Sequence, residues 1–333
     1  MTRVNYVIKA EATNEEGLGM VSRAFCLAEE MLSRNLLVTI VTNEPFGRKY
    51  FKNQFLEIAV IPLETSFEDE LKILKNLVNE ATILILTEYK NLNEYYGLLH
   101  PHKLVLLSDE VEPIHTPIDL FVSSFLLKAP QNNNIKKSLC GLEYHFIKKE
   151  ILNLQKAKLE EDPKKVLLTM GGSDNKELTV AMMSLLYSSV KNCKFTVLLG
   201  TCNQRIGFTE KRILGISDDI EINRNASKVE HQYNSFGFAI CKGGVTSFEL
   251  MYLGIPLLIV STSNVQIEML DFLNKQGGIL YMGHWDEISE ENINCKIQEL
   301  YADFSSRKKL SERAKQIIDG KGISRIVNAI EAL

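Results

Sequence analysis

Short apolar runs alternate along this chain with longer stretches in which apolar residues return every three or four positions. The first pattern suits buried strands and the second amphipathic helices, so the alternation predicts successive βαβ units around parallel sheets. In the first half, strands are expected over 4–8, 36–41, 58–62, 83–86, 104–107 and 118–122, the last of that set. A helix over 20–34 carries Val21, Ala24, Phe25, Ala28, Met31 and Leu32 on one face, and another is expected between 68 and 80. From 143 to 165 the texture turns charged and ends at Pro163, as a connection would. The pattern then restarts. Strands are expected over 166–170, 195–199, 219–222, 238–241, 257–260 and 279–281, and helices over 175–189, 228–234 and 265–275. A closing amphipathic helix over 311–333 is interrupted near Gly320 and Gly322. The expected fold is α/β: two Rossmann-like parallel-sheet domains facing a cleft, over 1–142 and 166–333. The final helix is a candidate to pack back on the first of them.

One stretch concentrates the candidate chemistry. In FAICKGGVTSFELMYLGIP, residues 238–256, an apolar strand ends in paired glycines and opens directly into a helix. Thr246 and Glu249, three residues apart, form a candidate capping box. Bare glycines before a helix leave backbone N–H groups and the positive end of the helix dipole open to an anion, phosphate above all. The design recurs at 166–174 (VLLTMGGSD) and, in variant form, at 17–23 (GLGMVSR). Three such turns at the carboxyl ends of parallel strands fall where open α/β sheets hold ligands, so the candidate ligand is a phosphorylated small molecule. Each alone is equally an ordinary tight turn, with Asp174 as the helix cap in the second.

Composition narrows the classes. With 333 residues, 45% of them hydrophobic, the chain can bury two cores of about 150 residues each. A net charge of −4 without blocks of like charge argues against a nucleic-acid partner or an anionic membrane surface. Six cysteines without CxxC spacing suit reduced thiols, with neither a disulfide framework nor a metal site expected. No apolar run approaches the roughly 18 residues of a transmembrane segment, and the start lacks a signal-type core, so a cytoplasmic location is expected.

The first loop, EATNEEGLGMVSRAFCLAEEM, resembles the signature of the PseG/SpsG family. That family comprises the nucleotide-sugar hydrolase of pseudaminic acid biosynthesis and its spore-coat-polysaccharide relatives, within the MurG-like glycosyltransferase-B superfamily. Glu11, Gly17, Gly19, Arg23, Leu27 and Ala28 carry the likeness there. It continues through Ser108 and Asp109, GLEY at 141–144, MGGSD at 170–174, the second glycine turn with its helix, and Asn264-Val265-Gln266. The resemblance implies a UDP-sugar as substrate, no cofactor, an acceptor it does not identify, and bacterial surface-glycan synthesis. It further implies diphosphate contacts at Gly171, Gly172, Ser173, Gly243, Gly244, Thr246 and Ser247. Glu249 would accept ribose hydroxyls, in competition with the capping box, and Val229 would cover the base. Sugar contacts would fall to Gly17, Gly19, Met20, Arg23, Asn264 and Gln266.

One departure changes the expected chemistry. Where the family has a first-loop histidine, implied to activate water, this chain has Met20. A thioether cannot accept a proton near neutral pH, and loss of a general base costs about 10²- to 10⁴-fold in rate. Asp109, Glu88 and His115, all near strand ends, are the candidates to replace it. The expected function is therefore a glycosyltransferase taking sugar from a nucleotide diphosphate. A hydrolase with a relocated base and a non-catalytic nucleotide-sugar binder are the alternatives.

Overall fold

The computed structural model describes residues 4–11, 19–43, 57–62, 65–87, 91–110, 112–172, 174, 177–200, 203, 205–224 and 226–333. Among them, strands β1 (Asn5–Lys9), β2 (Leu37–Asn43), β3 (Glu57–Ile61), β4 (Thr82–Leu86), β5 (Lys103–Leu107), β6 (Leu120–Ser123) and β7 (Ser138–Cys140) form one sheet, ordered β3-β2-β1-β4-β5-β6-β7. Strands β8 (Lys165–Thr169), β9 (Lys194–Leu198), β10 (Glu221–Asn223), β11 (Phe238–Lys242), β12 (Leu257–Ser261) and β13 (Leu280–His284) form the other, ordered β10-β9-β8-β11-β12-β13. All the pairings are parallel. The strand order reverses direction at β1/β4 and at β8/β11, the points where such sheets open a crevice at their carboxyl ends.

The central strands read as unbroken apolar runs because both faces of each sheet are covered; β4 and β12 are buried along their whole length. On one face of the first sheet the helix Gly19–Ser33 contributes Val21, Ala24, Ala28 and Met31 to a core shared with Ile323, Ile326, Val327 and Ile330. The opposite face is covered by Leu71, Leu74, Tyr95 and Leu99. In the second sheet the core includes Met182, Met183 and Leu186 of the helix Leu178–Ser189, with Ile293 and Ile297 of the helix Glu290–Ala302.

Two compact units result. The first strand, Leu18–Phe146 and Lys321–Leu333 belong to one, and Ile147–Gly320 to the other. The charged connection from 147 onward is thus part of the second unit, where it forms the short helix Lys149–Leu152.

Several elements differ from the sequence expectation. Strand β7 lies beyond the expected last strand, and the helices Leu92–Leu99, Ile206–Leu214 and Glu290–Ala302 were not anticipated. The closing helix is two helices, Phe304–Ile317 and Gly322–Glu331. Gly320 between them has φ +76, a left-handed conformation that suits glycine. The expected helix over 265–275 starts as a tighter turn, Asn264–Gln266, before Ile267–Lys275.

Candidate functional site

Strands β8 and β11 are hydrogen-bonded neighbours, with Cys241 opposite Thr169, so the turns that follow them emerge together at the second sheet's crossover point. The glycines of these turns have different causes. Gly171 has φ +79. A Cβ there would lie 3.3 Å from Cε and 3.7 Å from Nζ of Lys242, the last residue of β11. Gly200, just after β9, approaches so closely that its Cβ would stand 2.2 Å from the carbonyl oxygens of Gly171 and Gly172. At Gly243 a Cβ would meet Cδ1 of Leu270 at 2.6 Å, so any larger residue would have to displace that buried side chain, and packing accounts for the glycine. Gly244 is the exception. Its φ of −101 and ψ of −166 suit any residue, and no described atom lies within 4 Å of where its Cβ would be. The missing side chain leaves free space directly before the helix Val245–Leu253.

The two helix N-termini are not equivalent. Asp174 is buried and accepts hydrogen bonds from the backbone N–H groups of Leu178 at 2.8 Å and Thr179 at 3.1 Å. The helix after the first glycine turn therefore supplies its own anion, and the capping alternative is the one realised there. At Val245–Leu253 the N-cap is Gly244, without a side-chain cap. The expected Thr246/Glu249 capping box is not formed, because Glu249 turns inward. It is 1% exposed, with Oε1 3.7 Å from Nζ of Lys148, which also pairs with Glu230. Oε1 receives no hydrogen bond. Burial raises the Glu249 pKa to about 7, with Lys148 opposing and Glu230 adding to the rise. A ribose hydroxyl would need this carboxylate at the surface, where it does not lie.

The remaining expected residues divide. Ser247 is buried and directs its hydroxyl at 2.6 Å and its N–H at 3.0 Å to the Gly244 carbonyl, so its donors are engaged. Thr246 is half-buried and Asn264 exposed. Gln266 keeps a buried Oε1 without a hydrogen-bond donor. Val229 is buried at 2% and packs as an interior residue. Ser173, Gly17 and Glu88 lie outside the described residues.

In the first unit, Gly19 and a half-buried Met20 open the helix Gly19–Ser33. Arg23, one turn on, is buried and pairs with Asp109 at 2.5 Å. Asp109 also accepts from the Ser123 hydroxyl at 3.2 Å. The Arg23 guanidinium lies 5.8 Å from the Phe125 ring centre, and His145 meets that ring edge-on at 5.4 Å. Burial, together with Arg23, holds the His145 pKa well below its ordinary value. A proposed anion contact and a proposed base are thus bound to each other, while His115 stands exposed, away from them in the contacts described. Glu11 pairs at 2.6 Å with Lys9, which ends β1 almost fully buried and lies 3.4 Å from Glu70.

Lys9, Lys148 and Lys242 escaped the sequence reading. For two of them the signal was present: NYVIK and FAICK each close an apolar strand with a lysine, a charge that burial obliges the fold to accommodate. Among the described residues no group of three or more His, Cys, Asp or Glu could hold a metal ion, and no helix is long and apolar enough to cross a membrane.

The fold is that of the glycosyltransferase-B class. MurG of Acinetobacter baumannii superposes with a TM-score of 0.64 at 13% identity, covering 99% of this chain and 100% of that one. The spinosyn rhamnosyltransferase SpnG gives 0.66 at 13%, over 99% and 100%. Staphylococcus aureus MnaA, solved with UDP, gives 0.65 at 13%, over 98% and 96%. No protein-family profile matches. Among curated proteins, an uncharacterised protein of Methanocaldococcus jannaschii is 24% identical over 286 residues, 79% of this chain and 57% of its own length. The spore coat polysaccharide biosynthesis protein SpsG of Bacillus subtilis is 22% identical over 183 residues, 53% of this chain and 52% of its own. This chain spans a little over half the length of these two relatives.

Proposed function

We propose that the chain, as a member of the PseG/SpsG group, binds a UDP-sugar and transfers the sugar to an acceptor hydroxyl in bacterial surface-glycan synthesis. The observation that carries this is Gly244, a glycine that neither backbone conformation nor packing requires, standing before an uncapped helix N-terminus. Space there for a diphosphate is the reason we assign to it. The SpsG relative and the fold shared with UDP-bound MnaA support the substrate class. Gln266, with its donorless Oε1, and Asn264 are assigned to sugar hydroxyls.

In the transfer, the acceptor oxygen bonds to the anomeric carbon as the bond from that carbon to the β-phosphate oxygen breaks. The electron pair leaves with UDP, and the acceptor proton passes to a base or to water. Backbone N–H groups and the helix dipole favour the charge gathering on the diphosphate. Water attack in the manner of the hydrolase needs a proton acceptor where Met20 stands, and Asp109 is engaged by Arg23 and Ser123. Thermal unfolding with UDP, GDP, CMP and dTDP is the first test, since a ligand bound only by the native state raises its stability. UDP should give the largest shift, and no shift with any of them refutes the assignment. UDP release from UDP-sugars should then depend on an added acceptor; equal release without one would make the protein a hydrolase.

A further inference from the structure

We propose that Lys156 is a modification site: an exposed amine, seated beside a second ammonium at the carboxyl end of the helix Val245–Leu253, that takes up the acyl group of an acyl phosphate. The site is independent of the nucleotide-sugar reading above. Backbone pairing fixes its place. The N–H of Ala157 donates to the Leu253 carbonyl at 2.8 Å, which lays residues 156 and 157 across the end of that helix. Lys156 Nζ donates to the Tyr252 carbonyl at 2.5 Å and rests 2.8 Å from the centre of the Tyr252 ring. Lys315, on the helix Phe304–Ile317, reaches the same place. Its Cε lies 1.9 Å from where the C-cap, Gly254, would carry a Cβ, and its Nζ donates to the Ala157 carbonyl at 3.3 Å.

Two cations at a helix carboxyl end suit its dipole, and that is the structural use of both lysines. They also repel each other. Lost hydration, with the Tyr252 ring covering one side, and the charge of Lys315 together hold the Lys156 pKa down to about 8. The carbonyl and the ring take two of its N–H groups, and a neutral amine still supplies both. The third proton is the one free to leave, and on an exposed side chain its departure bares a lone pair to solvent. That lone pair attacks the acyl carbon, the bond from carbon to the phosphate oxygen breaks, and phosphate departs with the electron pair. The surplus proton on nitrogen passes to water, leaving an amide. Lys315 acts twice, by disfavouring the ammonium form of its neighbour and by offering a charge to the departing phosphate.

Mass spectrometry of the chain treated with acetyl phosphate, resolved by lysine and by pH, tests this. With a pKa of about 8 against the ordinary 10.5, near-neutral solution holds about a hundredfold more neutral amine at Lys156 than at an ordinary lysine. A weaker base is also a weaker nucleophile, so near pH 7.5 Lys156 should be acetylated about tenfold faster than exposed Lys158. Its rate should level off above about pH 8 while that of Lys158 keeps climbing. Lys315→Met should slow Lys156 about threefold or more, and Lys315→Arg should keep most of the wild-type rate. Acetyl-coenzyme A, whose leaving group is a thiolate, should favour Lys156 over Lys158 less than acetyl phosphate does. Equal rates at the two lysines, a profile without the plateau, or a Lys315→Met rate equal to wild type overturns the proposal. Equal preference with both donors overturns the assignment to acyl phosphates. Should Lys315→Met fail to fold, the pH profile of the wild type carries the test.

Discussion

Removing the charge of Lys148 should destabilise the second unit in a pH-dependent way. Lys148 pairs with Glu230 and lies 3.7 Å from Glu249, with side-chain exposures of 18%, 11% and 1% for the three. At an effective dielectric constant of about 20, charges 3.7 Å apart attract by about 4.5 kcal/mol. Breaking a buried pair costs about 3–5 kcal/mol. Glu249 sets the pH dependence. Its folded pKa, about 7, lies above the ordinary 4.5, so the native state binds the proton more tightly. Its contribution is complete below pH 4.5 and is lost as pH rises through 7, a difference of about 3 kcal/mol. Without Lys148 that pKa moves higher still. Lys148→Met should therefore cost about 3 kcal/mol near pH 8.5, or about 8 °C in Tm, and about 1 kcal/mol near pH 5, where Glu249 is neutral. The difference is capped at about 2 kcal/mol because at the higher pH a Glu249 without its lysine binds a proton instead, at about 1.4 kcal/mol for each pH unit above its pKa of about 7. Adding Glu249→Gln should restore most of the loss at the higher pH. Calorimetric unfolding at the two pH values measures it; a loss that is the same at both, or one Glu249→Gln does not relieve, refutes the ionic account.

Glu249→Gln alone should keep UDP affinity within about threefold, because the carboxylate faces Lys148; a tenfold loss by calorimetry would return it to the ribose. Gly244→Val should abolish UDP binding with Tm unchanged, since the backbone there suits a β-branched residue and the side chain would fill open space. Met20→His should raise acceptor-independent UDP release about tenfold or more, followed by a coupled UDP assay, and an unchanged rate would separate Met20 from the reacting carbon. Asp174→Ala should lower stability by about 1–2 kcal/mol in denaturant titration, through loss of the cap on Leu178–Ser189.

The layout of both sheets was legible because buried parallel strands are written as apolar runs such as TILIL and LLIVS. What failed to register was short or mixed. Strand β7 has three residues, too few for a period to show, and Leu92–Leu99 lies between left-handed Asn91 and His100, with Gly97 inside it. Glu290–Ala302 could have been found: Ile293, Ile297 and Leu300 are spaced as one buried helix face amid polar residues. Both glycine turns were located from sequence, whereas the fate of the carboxylates beside them was not. Spacing offered Glu249 a local backbone donor, and a lysine 101 positions earlier took it instead. Asp174 went the other way, satisfying nearby N–H groups just as its position allows. Local spacing cannot rank such competitors, because a partner brought in by the tertiary fold leaves no mark beside the residue it claims.

The path of the chain between its units bears on biosynthesis. It leaves the first unit after Phe146 and returns at Lys321. Ile323, Ile326, Val327 and Ile330 then settle among Val21, Ala24 and Met31. A ribosome makes those residues only after the strands of both sheets, so the core of the earlier half stays incomplete on that face until they emerge. A fragment cut at 146 would inherit that exposed face, and dissecting the protein into halves calls for grafting residues 321–333 onto the first.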